Sequence, residues 1–293
     1  MQSPAATWDN LFYPPPDYQY FRKPAGDFTA RSNLRDAWLT DAAILAYGRR
    51  GKTRMEQSEL DKIFDTAGLK ATYLGPWFPS KEGTQGFFAS NADFAILSFR
   101  GTEKDDPSDL RSDLEAMLRN TKGGFPWDSQ DGVLVHEGFA RALNQVWNPA
   151  RDLLTAYRAA HPRSPVFFTG HSLGAALATL AFSRFKDEPA GLHTLGCPRT
   201  GNAAFCKLIS NRDVVRVVDG NDLVTQVPPD GEFYSHPCKP FPVGAAVGKP
   251  LTVAGDLGVL LRAGGDFLIH EPPPDTLADH SPARYGFFLW ERV

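Results

Sequence analysis

Ser172 is the residue whose neighbours best equip it for chemistry. It stands in Gly170-His171-Ser172-Leu173-Gly174, after the apolar run Val166-Phe167-Phe168 and before Ala175-Ala176-Leu177-Ala178. A bare Gly-x-Ser-x-Gly also marks inert turns. Here a buried strand on one side and a small-residue helix on the other, running to about Phe185, predict a nucleophile elbow. The glycines answer a crowding problem, because a serine at the tip of a sharp strand-to-helix turn needs neighbours without side chains at 170 and 174. The helix that begins just after Ser172 aims backbone N–H groups and the positive end of its dipole at the reacting atom. Both favour the negative charge that develops in acyl transfer.

A serine hydroxyl is a weak nucleophile near neutral pH, so the chemistry requires a general base and a third group that orients it. On the strand–turn–helix template, an acid and then a histidine follow the serine in the chain. Asp222 lies just past the strand Val214–Val218 and is the candidate acid. Asp219, at the same strand end, stays open beside it, while Asp230 belongs to a turn with Pro229 and Gly231. Of the seven histidines, His136, His161, His171 and His193 precede the acid, which leaves His236, His270 and His280. A late loop histidine returning to the elbow suits the template best, and His280 lies in such a loop, shortly before the last apolar segment. An oxyanion hole needs two N–H donors. Leu173, after the nucleophile, supplies one, and Gly101-Thr102, at the end of the strand finishing in Phe99, is the candidate for the second. On local grounds the same residues also suit a plain strand-end turn.

The elements that must position these residues follow from hydrophobic periodicity. Ser32 caps a predicted helix with Leu34, Trp38, Ala42 and Leu45 on one face, and Leu60, Ile63, Phe64 and Ala67 mark a second before Gly68, both expected as outer helices. Lys70–Leu74, Gly86–Ser90 and Asp93–Phe99 read as strands, the last apolar enough for a central position. Val133–Phe139 reads as a strand entering a helix with Val146, Trp147, Leu153, Leu154 and Tyr157 buried and a bend at Pro149. After the elbow come the strand Leu192–Gly196, a helix to about Ser210 and the strand Val214–Val218. This alternation predicts an α/β fold with a mostly parallel sheet and helices on both faces. Residues 1–31, rich in Pro and aromatics, are expected as an extended arm packed on a single domain formed by 32–293. The stretch from Pro237 to Pro274 is rich in Gly and Pro and carries no clear element.

Composition narrows the function classes. A length of 293 residues with 42% hydrophobic content allows one sizeable core. A formal net charge of -3 offers no basic face for nucleic acid or anionic membrane. Cys197, Cys206 and Cys238 lack metal-type spacing, so neither a zinc site nor a disulfide framework is expected, and no cofactor is required by the chemistry. The chain carries no recognisable signal segment and no membrane span, which points to a soluble monomer, cytoplasmic or secreted with its signal removed.

Five stretches taken in order carry a resemblance. Leu97-Ser98-Phe99-Arg100-Gly101-Thr102, Val135-His136-Glu137-Gly138-Phe139, Thr169-Gly170-His171-Ser172-Leu173-Gly174, Gly196-Cys197-Pro198-Arg199-Thr200-Gly201-Asn202 and Asn221-Asp222-Leu223-Val224 with Pro228-Pro229 resemble the fungal-type, class 3 lipase family. The resemblance, over roughly residues 32–290, implies an α/β-hydrolase fold and carboxylic ester hydrolysis. It places the nucleophile on Ser172, the acid on Asp222, the base on His280 and the oxyanion donors on Thr102 and Leu173. It also makes His136 and His171 structural and Arg199 a support for its turn. Acylglycerols or short-to-medium acyl esters are the implied substrates, reached through transient contact with a lipid interface. Phospholipase or galactolipase action on the same residues is the alternative, and a non-catalytic binding protein or an acyl transferase are further ones. The chain departs from the secreted fungal relatives in lacking their signal and disulfides. Its segment matching their lid, about Glu103–Leu118, is highly charged, with Leu110 where relatives often carry tryptophan. A polar lid implies less dependence on an oil surface. Trp77, Phe87 and Phe88 are named as residues near a possible acyl pocket.

Overall fold

The computed structural model describes residues 13–76, 83–101, 125–244 and 278–293. Trp77, His270 and the charged segment Glu103–Leu118 lie outside the described residues.

Thirteen residues open the regular structure as helix α1 (Asn33–Leu45), whose N-cap Ser32 accepts a hydrogen bond from the Arg35 N–H. A two-strand ribbon, β1 (Arg49–Arg50) and β2 (Thr53–Arg54), leads to α2 (Gln57–Thr66). Strands β3 (Lys70–Leu74), β4 (Gly86–Ser90) and β5 (Ala95–Phe99) follow. A second small ribbon, β6 (Phe125–Pro126) with β7 (Leu134–Val135), precedes α3 (Glu137–Asn144) and α4 (Trp147–Ala160). Then come β8 (Val166–His171), α5 (Leu173–Arg184), β9 (Ala190–Leu195), α6 (Ala203–Lys207), β10 (Asp213–Asp219), β11 (Phe241–Val243) and α7 (Pro282–Trp290).

Seven of these strands form one sheet in the order β11-β10-β9-β8-β5-β4-β3. From β5 to β11 the neighbours run parallel, while β3, β4 and β5 pair antiparallel. The antiparallel pairing of β4 with β5 has a local cause. Only four residues separate β4 from β5, too few for a crossover, and Asn91 closes that turn by accepting from the Asp93 and Phe94 N–H groups.

Consecutive apolar residues in the strands divide between two cores because strand side chains alternate. Phe88, Leu97, Phe168 and Leu192 pack under α3, α4 and α5, whereas Phe87, Ile96, Phe167 and Val215 pack under α1, α2 and α7. Fully burying each such ring contributes roughly 1.5–3 kcal/mol. Phe87 and Phe88 are thus core rings, set against Phe64 and Tyr157 respectively.

Two sequence expectations are corrected here. Helix α1 is not an outer helix: Ala37, Trp38, Ala42 and Leu45 are buried, and so are Arg35, Asp36 and Asp41 on its other faces. It is covered by residues 13–31, where Phe28 packs on Trp38, Phe94 and Phe167, and by α7, whose Trp290 indole N–H donates to Asp41. Asp41 also accepts from the Tyr18 hydroxyl at 2.6 Å and the Phe21 N–H at 2.5 Å, so one buried carboxylate ties three segments of chain together. Pro149 does not bend a long helix. It sits in the first turn of α4, where the missing N–H costs nothing, and Gln145 and Val146 separate α4 from α3.

Candidate active site

The residues singled out by sequence collect at the C-terminal ends of parallel strands, the edge at which open α/β sheets bind ligands. Ser172 follows β8, Gly101 follows β5, Gly196 follows β9 and Asp222 follows β10.

Ser172 holds φ 58° and ψ −127°, a left-handed conformation that costs a non-glycine residue roughly 1–3 kcal/mol. The turn pivots where its N–H still bonds the Leu195 carbonyl of β9 at 3.0 Å and its carbonyl already accepts from Ala175 and Ala176 in α5. A serine in this N-cap position ordinarily caps the helix with its hydroxyl, but here the side chain makes no capping bond. Its Oγ is therefore not spent on the helix. Close approach fixes the flanking glycines: a Cβ on Gly174 would strike the Phe99 carbonyl oxygen, and one on Gly170 would strike the Gly174 backbone. The N–H groups of the first two residues of α5, Leu173 and Gly174, have no partner within the helix. Thr102, the other expected oxyanion donor, lies outside the described residues.

The histidine that meets an acid is His280, and the acid is Asp222. His280 Nδ1 stands 3.0 and 2.9 Å from the two Asp222 carboxylate oxygens. Asp222 is fully buried and also accepts from the Tyr285 hydroxyl at 2.5 Å and the Val224 N–H at 2.9 Å, so each oxygen has its donors. A carboxylate can only accept, which places the imidazole proton on Nδ1 and leaves Nε2 as the basic nitrogen. Nε2 is buried and has no hydrogen-bond partner among the described residues. No hydrogen bond joins it to Ser172 in this structure. Gly196, at φ 56°, lets the β9 turn pass beside the pair: a Cβ there would lie 2.7 Å from Asp222 Oδ2 and 2.9 Å from the His280 ring.

Asp219 serves a different partner. Its oxygens accept from Arg284, at 2.7 Å from Nε and 3.5 Å from Nη2. Burial pushes the Asp219 carboxyl up to about 7, against the pull of that guanidinium. His236 is likewise removed from the acid, bonded through Nε2 to the Thr225 carbonyl at 2.8 Å. Arg199 donates to the carbonyls of Gln226 and Pro228, which fastens its turn to the segment after Asp222.

His171 packs beside His280. Its ring lies 4.4 Å from the His280 ring, its Nε2 is 2.8 Å from the His280 carbonyl, and its Nδ1 is 2.8 Å from the Tyr47 hydroxyl. The carbonyl can only accept, so His171 carries its proton on Nε2 and accepts at Nδ1 from Tyr47. Burial, and then the neighbouring His280, hold it well below the usual histidine range, and it stays neutral. His136 is buried beside Phe139, with burial lowering it to about 4. Tyr47, Tyr285, Arg284 and Gly196 were not found by sequence reasoning. Only Gly196 had a local signal, its place at the head of the Gly-Cys-Pro-Arg turn.

Three buried histidines and the part-buried His236, all neutral, make stability sensitive to acid. His193, bonded to Thr40 at 3.1 Å, and His136 are lowered by burial to about 4 and His236 to about 3, while His171 moves the same way. Unfolded histidine titrates near ~6.5, so below that pH the unfolded chain binds protons that the folded chain refuses. Their contribution is complete above about pH 6.5 and is lost as pH falls towards the folded values. Asp41, raised by burial to about 6, and Asp219, at about 7, work in the opposite sense, since their folded forms take protons first. With four groups against two, the urea midpoint is expected to fall between pH 6.5 and 4.5, and more gently in His193→Gln. A midpoint that rises over this range contradicts the assignment.

Among the described residues, no group of three or more His, Cys, Asp or Glu is placed to hold a metal ion. Cys197, Cys206 and Cys238 are free thiols, and burial pushes the first two up to about 11 and 12. No described helix is long and apolar enough to cross a membrane.

The sequence matches the family described as Lipase (class 3) over residues 96–232, the span that holds β5, the elbow and Asp222. This match, with the relatives that follow, supports the class 3 lipase family for the chain. A lipase of Rhizopus niveus is 33% identical over 150 residues, which cover 48% of this chain and 36% of that one. A chloroplastic phospholipase A(1) of Arabidopsis thaliana is 33% identical over 148 residues, covering 45% and 33%. The match thus spans about a third of the length of these relatives. The solved mono- and diacylglycerol lipase of Aspergillus oryzae superposes with a TM-score of 0.60 at 20% identity, over 87% of this chain and 99% of that one. That likeness carries the fold, which is the α/β-hydrolase fold.

Proposed function

We propose that this chain is a serine hydrolase of carboxylic esters, acting on acylglycerols or short-to-medium acyl esters. One observation carries the reading. Beside an elbow whose serine hydroxyl is not used for capping, a buried carboxylate holds His280 with its basic Nε2 unpartnered among the described residues. In this reading His280 takes the Ser172 proton as Oγ attacks the ester carbonyl, and Asp222 stabilises the imidazolium. The Leu173 N–H, with Thr102 as the second donor, takes the charge of the tetrahedral oxyanion. Collapse breaks the acyl–oxygen bond, His280 returns the proton to the departing alcohol, and water repeats the sequence to release the acid. The α5 dipole adds to the stabilisation of the oxyanion.

The test is a panel of p-nitrophenyl esters from short to long acyl chains, run with emulsified acylglycerol and with phosphatidylcholine vesicles. Hydrolysis of the esters and the acylglycerol, with labelling of Ser172 by a fluorophosphonate, is expected. A folded protein that hydrolyses none of these and resists the label contradicts the reading. The similarity to the Arabidopsis phospholipase A(1) favours one second reading, hydrolysis of a phospholipid acyl ester by the same residues. Turnover of the vesicles in preference to acylglycerol would select it.

A further inference from the structure

Asp222 and His280 come from parts of the chain far apart in sequence, and their 2.9 Å contact survives only if the turn after β10 and the loop before α7 keep their relative position. The Asp222–His280 hydrogen bond is a single contact between them. Beside it and the Tyr285 hydroxyl on Asp222, the segments are joined by a set of charges within four residues of the pair, Asp219 and Asp279 buried and Arg284 part-buried. Asp279, next to His280, accepts the Asn221 N–H at 2.7 Å, and Asn221 is next to Asp222. Arg284, in the first turn of α7, bonds Asp219 at 2.7 Å and Asp279 at 2.9 Å, and so spans both segments. Asp219 in turn closes the acid turn, its carbonyl accepting the Asp222 N–H at 2.9 Å.

We propose that Arg284 is a positioning residue: its guanidinium, shared between Asp219 and Asp279, holds the turn that carries Asp222 in register with the loop that carries His280. The proposal rests on the ester-hydrolase reading of Ser172, Asp222 and His280. Burial gives the pairing its leverage. The side chain of Asp219 is 0% exposed, that of Asp279 9% and that of Arg284 17%. Exposed ion pairs contribute little, but removing one member of a buried set leaves charge that neither water nor protein compensates. Without Arg284, the carboxylates of Asp219 and Asp279 face each other across the junction with their shared cation gone. Relief requires protonation or separation, and separation moves the acid away from the base. Arg284 is suited to this role because its fork bonds two carboxylates in fixed directions, which an ammonium does not do.

The experiment compares wild type with Arg284→Met, Arg284→Lys, Asp219→Asn and the Asp219→Asn/Arg284→Met double variant. Each is assayed on p-nitrophenyl butyrate well below its own melting temperature, together with the rate of fluorophosphonate labelling. Displacement of a reacting group by about 1 Å costs ~100-fold, so Arg284→Met is expected to lower kcat roughly 10- to 100-fold with KM changed by less than about threefold. Lysine restores part of the loss, and the double variant loses less than the product of the two single losses, because its members act through each other. A folded Arg284→Met with wild-type kcat and labelling rate, altered only in melting temperature, overturns the proposal and leaves the ester-hydrolase reading standing. Single losses that multiply in the double variant also overturn it. If Arg284→Met fails to fold, Arg284→Lys and Asp219→Asn carry the same comparison. A wild type that neither hydrolyses nor labels removes both readings together.

Discussion

Ser172→Ala is expected to lower kcat for ester hydrolysis by roughly 10⁴- to 10⁶-fold while the protein stays folded. The size follows from the proposed acyl-enzyme route, in which the Ser172 Oγ is the atom that attacks the carbonyl. What survives is whatever the oxyanion donors and substrate binding provide over solvent, roughly 10³- to 10⁴-fold in serine hydrolases. The fold tolerates the change because Oγ makes no capping bond and the backbone contacts of the elbow, from the Ser172 N–H to Leu195 and from its carbonyl to α5, are untouched. A second variant separates chemistry from stability. At φ 58° a side chain is strained, and glycine relieves that strain at the cost of a more flexible unfolded chain. Ser172→Gly is therefore expected to be as inactive as the alanine variant yet about 1 kcal/mol more stable, measured by urea unfolding. An active Ser172→Ala protein would move the nucleophile elsewhere. An inactive but destabilised Ser172→Gly would mean that the positive φ carries no strain.

The elbow was legible because its requirements are local. Glycines two residues either side of the serine, an apolar run before it and small residues after it are consequences of one tight turn, and close approach of Gly174 to the end of β5 is the same crowding seen from the neighbouring strand. The choice between Asp219 and Asp222 was not local. Both stand at the end of β10, where position favours Asp222 only weakly and the family resemblance adds to it; the structure sets Asp222 against His280 and Asp219 against Arg284. Tyr285, Arg284 and Asp279 escaped for the same reason: in the sequence they are one turn of a C-terminal helix and a loop, and their meaning depends on the β10 turn some sixty residues earlier. The direction of β4 against β5 was open to sequence, since a four-residue link cannot make a parallel crossover, yet periodicity alone says nothing of direction. The burial of α1 depended on what residues 13–31 and α7 lay over it, and a helix's own pattern does not announce a second cover.

Asp222→Asn, nearly isosteric, is expected to lower kcat roughly 10⁴-fold, far more than its loss of a single charge in water would suggest. Asp222 now receives three kinds of donor: the His280 imidazole, the Tyr285 hydroxyl at 2.5 Å and the Val224 N–H at 2.9 Å. An amide has one accepting atom where the carboxylate has two, so its NH₂ stands either at the Oδ2 position, against Tyr285, or at Oδ1, against the Val224 N–H, with His280 Nδ1 beside both. Tyrosine can answer by rotating its hydroxyl to accept. Facing His280, the NH₂ donates to Nδ1 and drives the imidazole proton to Nε2, the nitrogen that has to receive the proton of Ser172. In either orientation the negative charge that stabilises the imidazolium is lost at a fully buried position, where the effect of charge is largest. The loss is expected in kcat rather than KM, because the substrate meets neither group before proton transfer begins. It is also expected to shrink as pH rises, where hydroxide substitutes for the missing base. Asp222→Ala differs in kind: it leaves the buried Tyr285 hydroxyl and Val224 N–H without an acceptor, at roughly 1–3 kcal/mol each, so it should lower stability as well as activity. The two variants assayed side by side, by kcat and by urea midpoint, decide the matter. If Asp222→Asn retains activity within tenfold of wild type, the buried carboxylate supports the fold and does not set the proton on His280.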